Sequence, residues 1–177
     1  CSPFSVTREL MTASAALAKA RGVLLHTHLA ETEDENGFCE EVFGCRPLDY
    51  VEDCGWSETK SWYAHGIHFN SDEIQRLAKA GAGVASCSHS NMHLSSGICS
   101  ACELESAGVS VGLGVDGSAS NDTSNMMQEV RAAWLIQRLK YGSGAVSWND
   151  ALRWATQGSA ALLGRSEYLG RLLPGMA

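Results

Sequence analysis

The sequence has no excess of basic residues, no long apolar run and little proline. Lys and Arg number 13 against 20 Asp and Glu, a formal net charge of -7. A nucleic-acid backbone calls for a Lys/Arg stripe, so the balance argues against that partner. No apolar run approaches the ~18 residues that a membrane-spanning helix needs, and no membrane partner is expected. Three prolines and 18 glycines among 177 residues are globular values, unlike a collagen repeat or a disordered tail. The seven cysteines are odd in number and lack the spacing of a disulfide framework. They point to free thiols in a reducing, cytoplasmic compartment. What is present is enough apolar content, 45%, for one domain with a core. The chain opens at Cys1 without an initiator Met and closes on the apolar stretch Leu172–Ala177, which reads as an internal piece of a longer protein.

Apolar residues at Val6, Leu10, Ala13 and Leu17 trace one helical stripe, which Gly22 ends. Val23–Leu29 is apolar with little alternation, as in a parallel strand buried on both faces. A polar helix is expected over 33–43 and a short one between Pro47 and Gly55. Trp62–His65 reads as a second strand. Ser71, Asp72 and Glu73 then cap and charge a helix that Lys79 and Gly81 close. Gly83–Cys87 and Val109–Val115 read as the third and fourth strands, separated by a short helix over Glu103–Ala107 that Gly108 ends. Helices follow over about 124–141 and 148–163. Strands alternating with helices mean βα units and a parallel sheet.

His28, His65, the polar run Ser88–Asn91 and Asp116 all fall at the C-terminal ends of these strands. That edge is where α/β barrels and doubly wound sheets assemble their chemistry. His28-Leu29-Ala30-Glu31 sets an imidazole at a strand end and a carboxylate three residues on. The pair suits either a metal ligand with a proton carrier, or a carbonyl-bonded His beside a solvated Glu. His26 shares the face of His28 by the two-residue period and is expected to be a satisfied core histidine. His68 lies in the loop beyond His65 and is expected to be structural or solvated.

Two other patterns compete for attention. Gly112, Gly114 and Gly117 spell G-x-G-x-x-G. Asp116 would set a negative charge beside a pyrophosphate there, and no Asp or Glu occurs from Val130 to Asn149 to hold a ribose. His89, His93, Cys99 and Cys102 could close a structural zinc site, but their spacing matches no zinc-finger pattern. A cytidine-type deaminase needs H-x-E with P-C-x-x-C, and the chain has neither.

Taken together, His28-Leu29-Ala30-Glu31, Ala64-His65, Ser90-Asn91 and the run from Gly114 through Asp116 to Asp122 resemble the amidohydrolase superfamily. The closest branch is the cytosine/guanine deaminase-related one. Arg46–Tyr50 and Gly114–Asn125 are most similar to its 8-oxoguanine deaminase and hydroxytriazine hydrolase group. The resemblance implies an α/β fold, a (β/α)8 TIM-type barrel of about 250 residues when complete. Only strands five to eight would be present here, over residues 1–163, with Cys1–Ser5 near the end of strand four. Residues 164–177 would begin the return into a small β-sandwich domain.

The resemblance also implies roles. His28 and Asp116 would be metal ligands, for zinc or alternatively iron. Glu31, His65 and Asp116 would be the catalytic groups, and Asn91, Ser118 and Asn121 would bind substrate. The remaining ligands, a His-x-His on strand one, are not in this sequence, because His26-Thr27-His28 leads into Leu-Ala-Glu, the mark of strand five. The implied activity is metal-dependent hydrolytic deamination, releasing ammonia from an amino-substituted purine-like ring, 8-oxoguanine foremost. A ring amidine carbon resists neutral water, and zinc lowers the pKa of water from ~15.7 toward ~7. Asp116 would accept the water proton while Glu31 donates to a ring nitrogen. A triazine or hydroxyatrazine-type amidohydrolase is the alternative, and a non-catalytic metal-binding module of a larger protein is the alternative from another class. The partner implied is a small heterocycle and the parent a homo-oligomer; the 177 residues alone are expected to be inactive. Members of the group usually carry Pro-x-Ser-Asn and then a basic residue after strand seven. Here the run is Ser88-His89-Ser90-Asn91-Met92-His93, and Cys99-Ser100 stands where Ala-Pro is common.

Overall fold

Thr7 accepts a hydrogen bond from the Leu10 N–H and so starts the first helix, α1 (Arg8–Arg21), later than the apolar stripe from Val6 suggests. Gly22 ends it in the left-handed conformation, φ 62°, where a side chain would be strained. The computed structural model describes Ser2–Met176; Cys1 and Ala177 lie outside the described residues, and with them the first and last positions of the two expected domains.

Four parallel strands follow in the order of the chain, β1 (Leu25–Leu29), β2 (Ser61–His65), β3 (Gly83–Ser86) and β4 (Ser110–Leu113). His26 pairs with Trp62, Tyr63 with Val84, and Val84 with Val111. Between β1 and β2 run α2 (Glu33–Phe43) and α3 (Pro47–Asp53), with a single 3-10 turn at Trp56–Glu58. α4 (Ser71–Ala80) joins β2 to β3, and α5 (Ser88–His93) with α6 (Ala101–Ser106) joins β3 to β4. The chain ends on α7 (Met126–Tyr141), α8 (Trp148–Arg153) and α9 (Ser159–Leu162). A parallel sheet in sequential order with helical crossovers is what alternating βα units produce.

Alternation sorts the two faces of the sheet. Leu25, Leu29, Tyr63, Val84, Val111 and Leu113 face the helices and form the core with Met11, Ile74, Leu77, Leu104 and Val130. The opposite face carries His26, His28 and Trp62 and, beyond them in register, the small residues Ala64, Ala85 and Gly112. A Cβ at Gly112 would come within 2.5 Å of Leu162, so the glycine admits α9 against β4. No helix among the described residues is long and apolar enough to cross a membrane.

Three expectations need correction. His26 is exposed rather than a core residue; its ring stacks on Trp62 at 3.6 Å and its Nδ1 meets the Trp62 carbonyl. The helix after β2 is capped by Asn70, whose side chain and that of Glu73 satisfy each other's backbone N–H groups, so Ser71 is its first residue and not its cap. The helix expected over 148–163 is interrupted by a π-helical segment, Trp154–Gly158. The break sits against β4: Gly158 lies on the Val111 carbonyl, where a Cβ would collide, and Ser159 Oγ bonds the Leu113 backbone. The polar run after β3 is a short helix, α5, too brief for a periodic signal.

Candidate active site

The C-terminal edge of the sheet carries the chemistry. His28 is the fourth residue of β1, and Glu31 follows in the loop. His65 ends β2, where strict alternation would turn it toward the helix-covered face with Tyr63. Its left-handed backbone, φ 72°, goes with a different position, a ring centroid 5.1 Å from that of His28. Ala30 and Asp116, at φ 53° and 62°, share this strained conformation. The loop after β2 is tied back to β1 by the Ile67 and His68 N–H groups, both donating to the Ala30 carbonyl.

Four of the expected residues converge. His28 Nε2 lies 3.6 Å from Asp116 Oδ1, and His65 Nε2 lies 3.7 Å from Asp116 Oδ2 and 3.6 Å from Glu31 Oε2. His65 is completely buried, and its Nδ1 is 2.8 Å from Asn91 Oδ1. An amide oxygen only accepts, so Nδ1–H donates and Nε2 is the nitrogen facing the carboxylates. Among the described residues Nε2 has no hydrogen-bond partner. Burial alone would raise the Asp116 carboxyl. Hydrogen bonds from Ser90 and the Gly117 N–H, with the two imidazoles nearby, hold it below its ordinary value. The Ser90 hydroxyl donates to Asp116 Oδ2 at 2.5 Å and lies 2.8 Å from the Ser120 hydroxyl.

One atom each from His28, His65 and Asp116 lies within 4.8 Å of the others. Two imidazole nitrogens, one of them orphaned in a buried position, and a carboxylate oxygen suit zinc or another divalent ion. A cavity of about 170 Å³ opens beside them, lined by Ser2, Phe4, Ser5, His28, Glu31 and Glu35. A larger groove of about 480 Å³ lies between α5 and α7; its lining is mainly apolar and excludes these four groups.

The other expected residues are placed differently. Asn91 is buried and bonded to His65. Asn121 is buried, with its amide donating to the Val115 carbonyl and its oxygen accepting from Thr123. Ser118 is exposed on the loop after β4. His68 is half-buried between Glu33 and the Ser96 carbonyl, in keeping with a structural role. The four-ligand zinc pattern does not assemble: His89 is engaged by Glu129, His93 is exposed, Cys99 is buried and Cys102 faces Gln137. The glycine pattern fails too, because the helix after Gly117 begins only at Met126. Sequence reading missed Ser90 as a partner of Asp116 and Glu35, whose Oε2 accepts from the Glu31 N–H at 2.9 Å. Ser90 stood inside a recognised motif, but its contact lies 26 residues away and left no local signal.

Comparison with known proteins places the chain in a family. Residues 2–177 match the Amidohydrolase family. The chain is 58% identical over 175 residues to the 8-oxoguanine deaminase of Pseudomonas aeruginosa, covering 99% of this chain and 39% of that protein. It is 41% identical over 179 residues to the hydroxydechloroatrazine ethylaminohydrolase of a Pseudomonas species, covering 99% of this chain and 37% of that protein. A crystal structure of an adenosine deaminase from Xanthomonas campestris with bound zinc superposes with a TM-score of 0.92 at 30% identity, covering 98% of this chain and 40% of that one. This chain thus spans about two fifths of the length of the curated relatives it matches. On these matches and this fold, the chain belongs to the amidohydrolase family.

Proposed function

We propose that the chain is the part of a metal-dependent hydrolytic deaminase that contains strands five to eight of a (β/α)8 barrel. Its substrate would be an amino-substituted purine-like ring, with 8-oxoguanine first, in line with the 58% identity to a deaminase of that name. The observation that carries this reading is the convergence of His28, Glu31, His65 and Asp116 around an unpartnered buried imidazole nitrogen. His28 and Asp116, with His65 beside them, would hold zinc or a similar divalent ion. When bound, such an ion supplies a nucleophile near neutral pH by acidifying water.

The protein groups would do the rest. Asp116, held as a carboxylate by Ser90, takes the proton of the attacking water. Glu31 passes a proton to a ring nitrogen, so that negative charge does not build up as the carbon becomes tetrahedral. His65, fixed by Asn91, keeps Nε2 turned toward the space between the two carboxylates and orients the water there. Asp116 then gives that proton to the exocyclic amine, which leaves as ammonia, and the hydroxyl of the tetrahedral centre returns a proton to Glu31. Asn91, Ser118 and Asn121 are proposed to shape the ring pocket, the last by holding the β4 loop through Val115.

A triazine-type hydrolase is the second reading, favoured by the 41% identity to a hydroxydechloroatrazine ethylaminohydrolase. The test is ammonia release by the full-length parent protein loaded with zinc, across guanine, 8-oxoguanine and aminohydroxytriazines, the 177 residues alone being expected to release none. Turnover of 8-oxoguanine above the others is expected. Release from none of them would remove the deaminase reading.

A further inference from the structure

α5 has only six residues, yet it supplies the side chains that hold two groups of the site. Ser90 bonds Asp116, and Asn91 bonds His65; both are fully buried. At the start of this helix Cys87 makes no side-chain cap. The anchor comes from 40 residues away. Glu129, in the first turn of α7 and 0% exposed, accepts the His89 backbone N–H with both carboxylate oxygens at 3.3 Å. Its Oε2 also accepts the His89 imidazole Nδ1–H at 2.8 Å. A carboxylate fully removed from water is costly, and an apolar residue would fill the same space more cheaply if packing alone were required.

We infer that Glu129 is a positioning residue that fixes α5 through His89 and thereby sets Ser90 on Asp116 and Asn91 on His65. The inference rests on the proposed reading of Asp116 and His65 as groups of the site. Outer partners of metal-binding side chains typically change affinity by about 10–100-fold, so the effect is measurable without turnover.

Cobalt(II), whose absorption reports its ligands, serves as the probe in the full-length parent protein, in which ammonia release is also followed. Glu129→Gln is expected to weaken cobalt binding by about tenfold or more and to alter the spectrum. In a Ser90→Ala/Asn91→Ala background both linkages are already cut, and adding Glu129→Gln should change affinity by less than about twofold. Val130→Ala, which loosens the same turn of α7 by removing fully buried methyl groups, should lower the melting temperature yet leave cobalt affinity within about twofold of wild type. Val130→Ala weakening cobalt as much as Glu129→Gln, or an undiminished effect of Glu129→Gln in the doubly cut background, overturns the inference. If the cobalt pattern holds while the wild type releases no ammonia, the deaminase reading falls and the role of Glu129 stands. Ammonia release without the cobalt pattern removes the inference alone, and a wild-type chain that takes up no cobalt removes both.

Discussion

At the residue scale, the strand ends are where ordinary backbone preferences are overridden. Ala30, His65 and Asp116 are non-glycine residues with positive φ, a conformation costing about 1–3 kcal/mol each that persists where the surroundings over-determine it. For His65 and Asp116 the surroundings are Asn91 and Ser90. The two carboxylates at the site should respond differently to neutralisation. In the full-length parent protein, Glu31→Gln and Asp116→Asn are each expected to abolish turnover, but only Asp116→Asn should reduce zinc retained after dialysis, as counted by metal analysis. Equal zinc loss in both would mean that Glu31 is a ligand. Glu35 offers a separate test. Burial pushes its carboxyl from 4.5 up to about 7, against hydrogen bonds from the Glu31 and Ala30 N–H groups. A carboxyl raised in the fold favours the protonated form there, so its stability is undiminished below about pH 4.5 and falls as pH climbs to about 7. At about 1.4 kcal/mol per pKa unit the penalty above that window is on the order of 3 kcal/mol. Glu35→Gln should remove most of this slope in melting curves taken from pH 5 to 8, and an unchanged slope would show that the penalty arises elsewhere.

At the element scale, the molecule is held by a few side chains that tie one crossover to the next. Arg46 makes a two-pronged contact with Glu73, Nε to Oε1 at 2.7 Å and Nη2 to Oε2 at 2.9 Å, and also donates to the His68 carbonyl. This joins α3, α4 and the loop after His65. Glu73 is 1% exposed, so Arg46→Ala would strand a buried carboxylate that keeps only its Asn70 contact. The expected cost is about 3 kcal/mol, measurable by urea denaturation, and a change below about 1 kcal/mol would assign the pair to the surface class. Most elements were legible because their signals are local. Gly22 and Gly81 end their helices where the sequence places the stops. α5 was not legible: six residues give less than two turns, and its anchor lies on α7. The π-helical break was hidden for a similar reason, since the Val111 carbonyl that Gly158 meets is 47 residues earlier.

At the scale of the whole molecule, the expectation of free thiols agrees with the six cysteines among the described residues, none of them in a disulfide. Burial raises Cys39 and Cys99 to about 12 and pushes Cys87 higher still. Thiolate is the reactive form, so iodoacetamide at pH 8 should leave these three unlabelled in the folded protein and modify them only after unfolding. Rapid labelling of Cys99 in the native state would contradict the packing around it. The sequence by itself determined the βα alternation and put His28, His65 and Asp116 at strand ends, because hydrophobic period and turn residues are written within a few positions of where they act. Only the tertiary structure decided that His65 meets His28, that Ser90 holds Asp116, that His26 is left exposed, and that Glu129 anchors α5. Those outcomes depend on contacts between segments far apart in the chain and on backbone angles that neighbouring packing imposes.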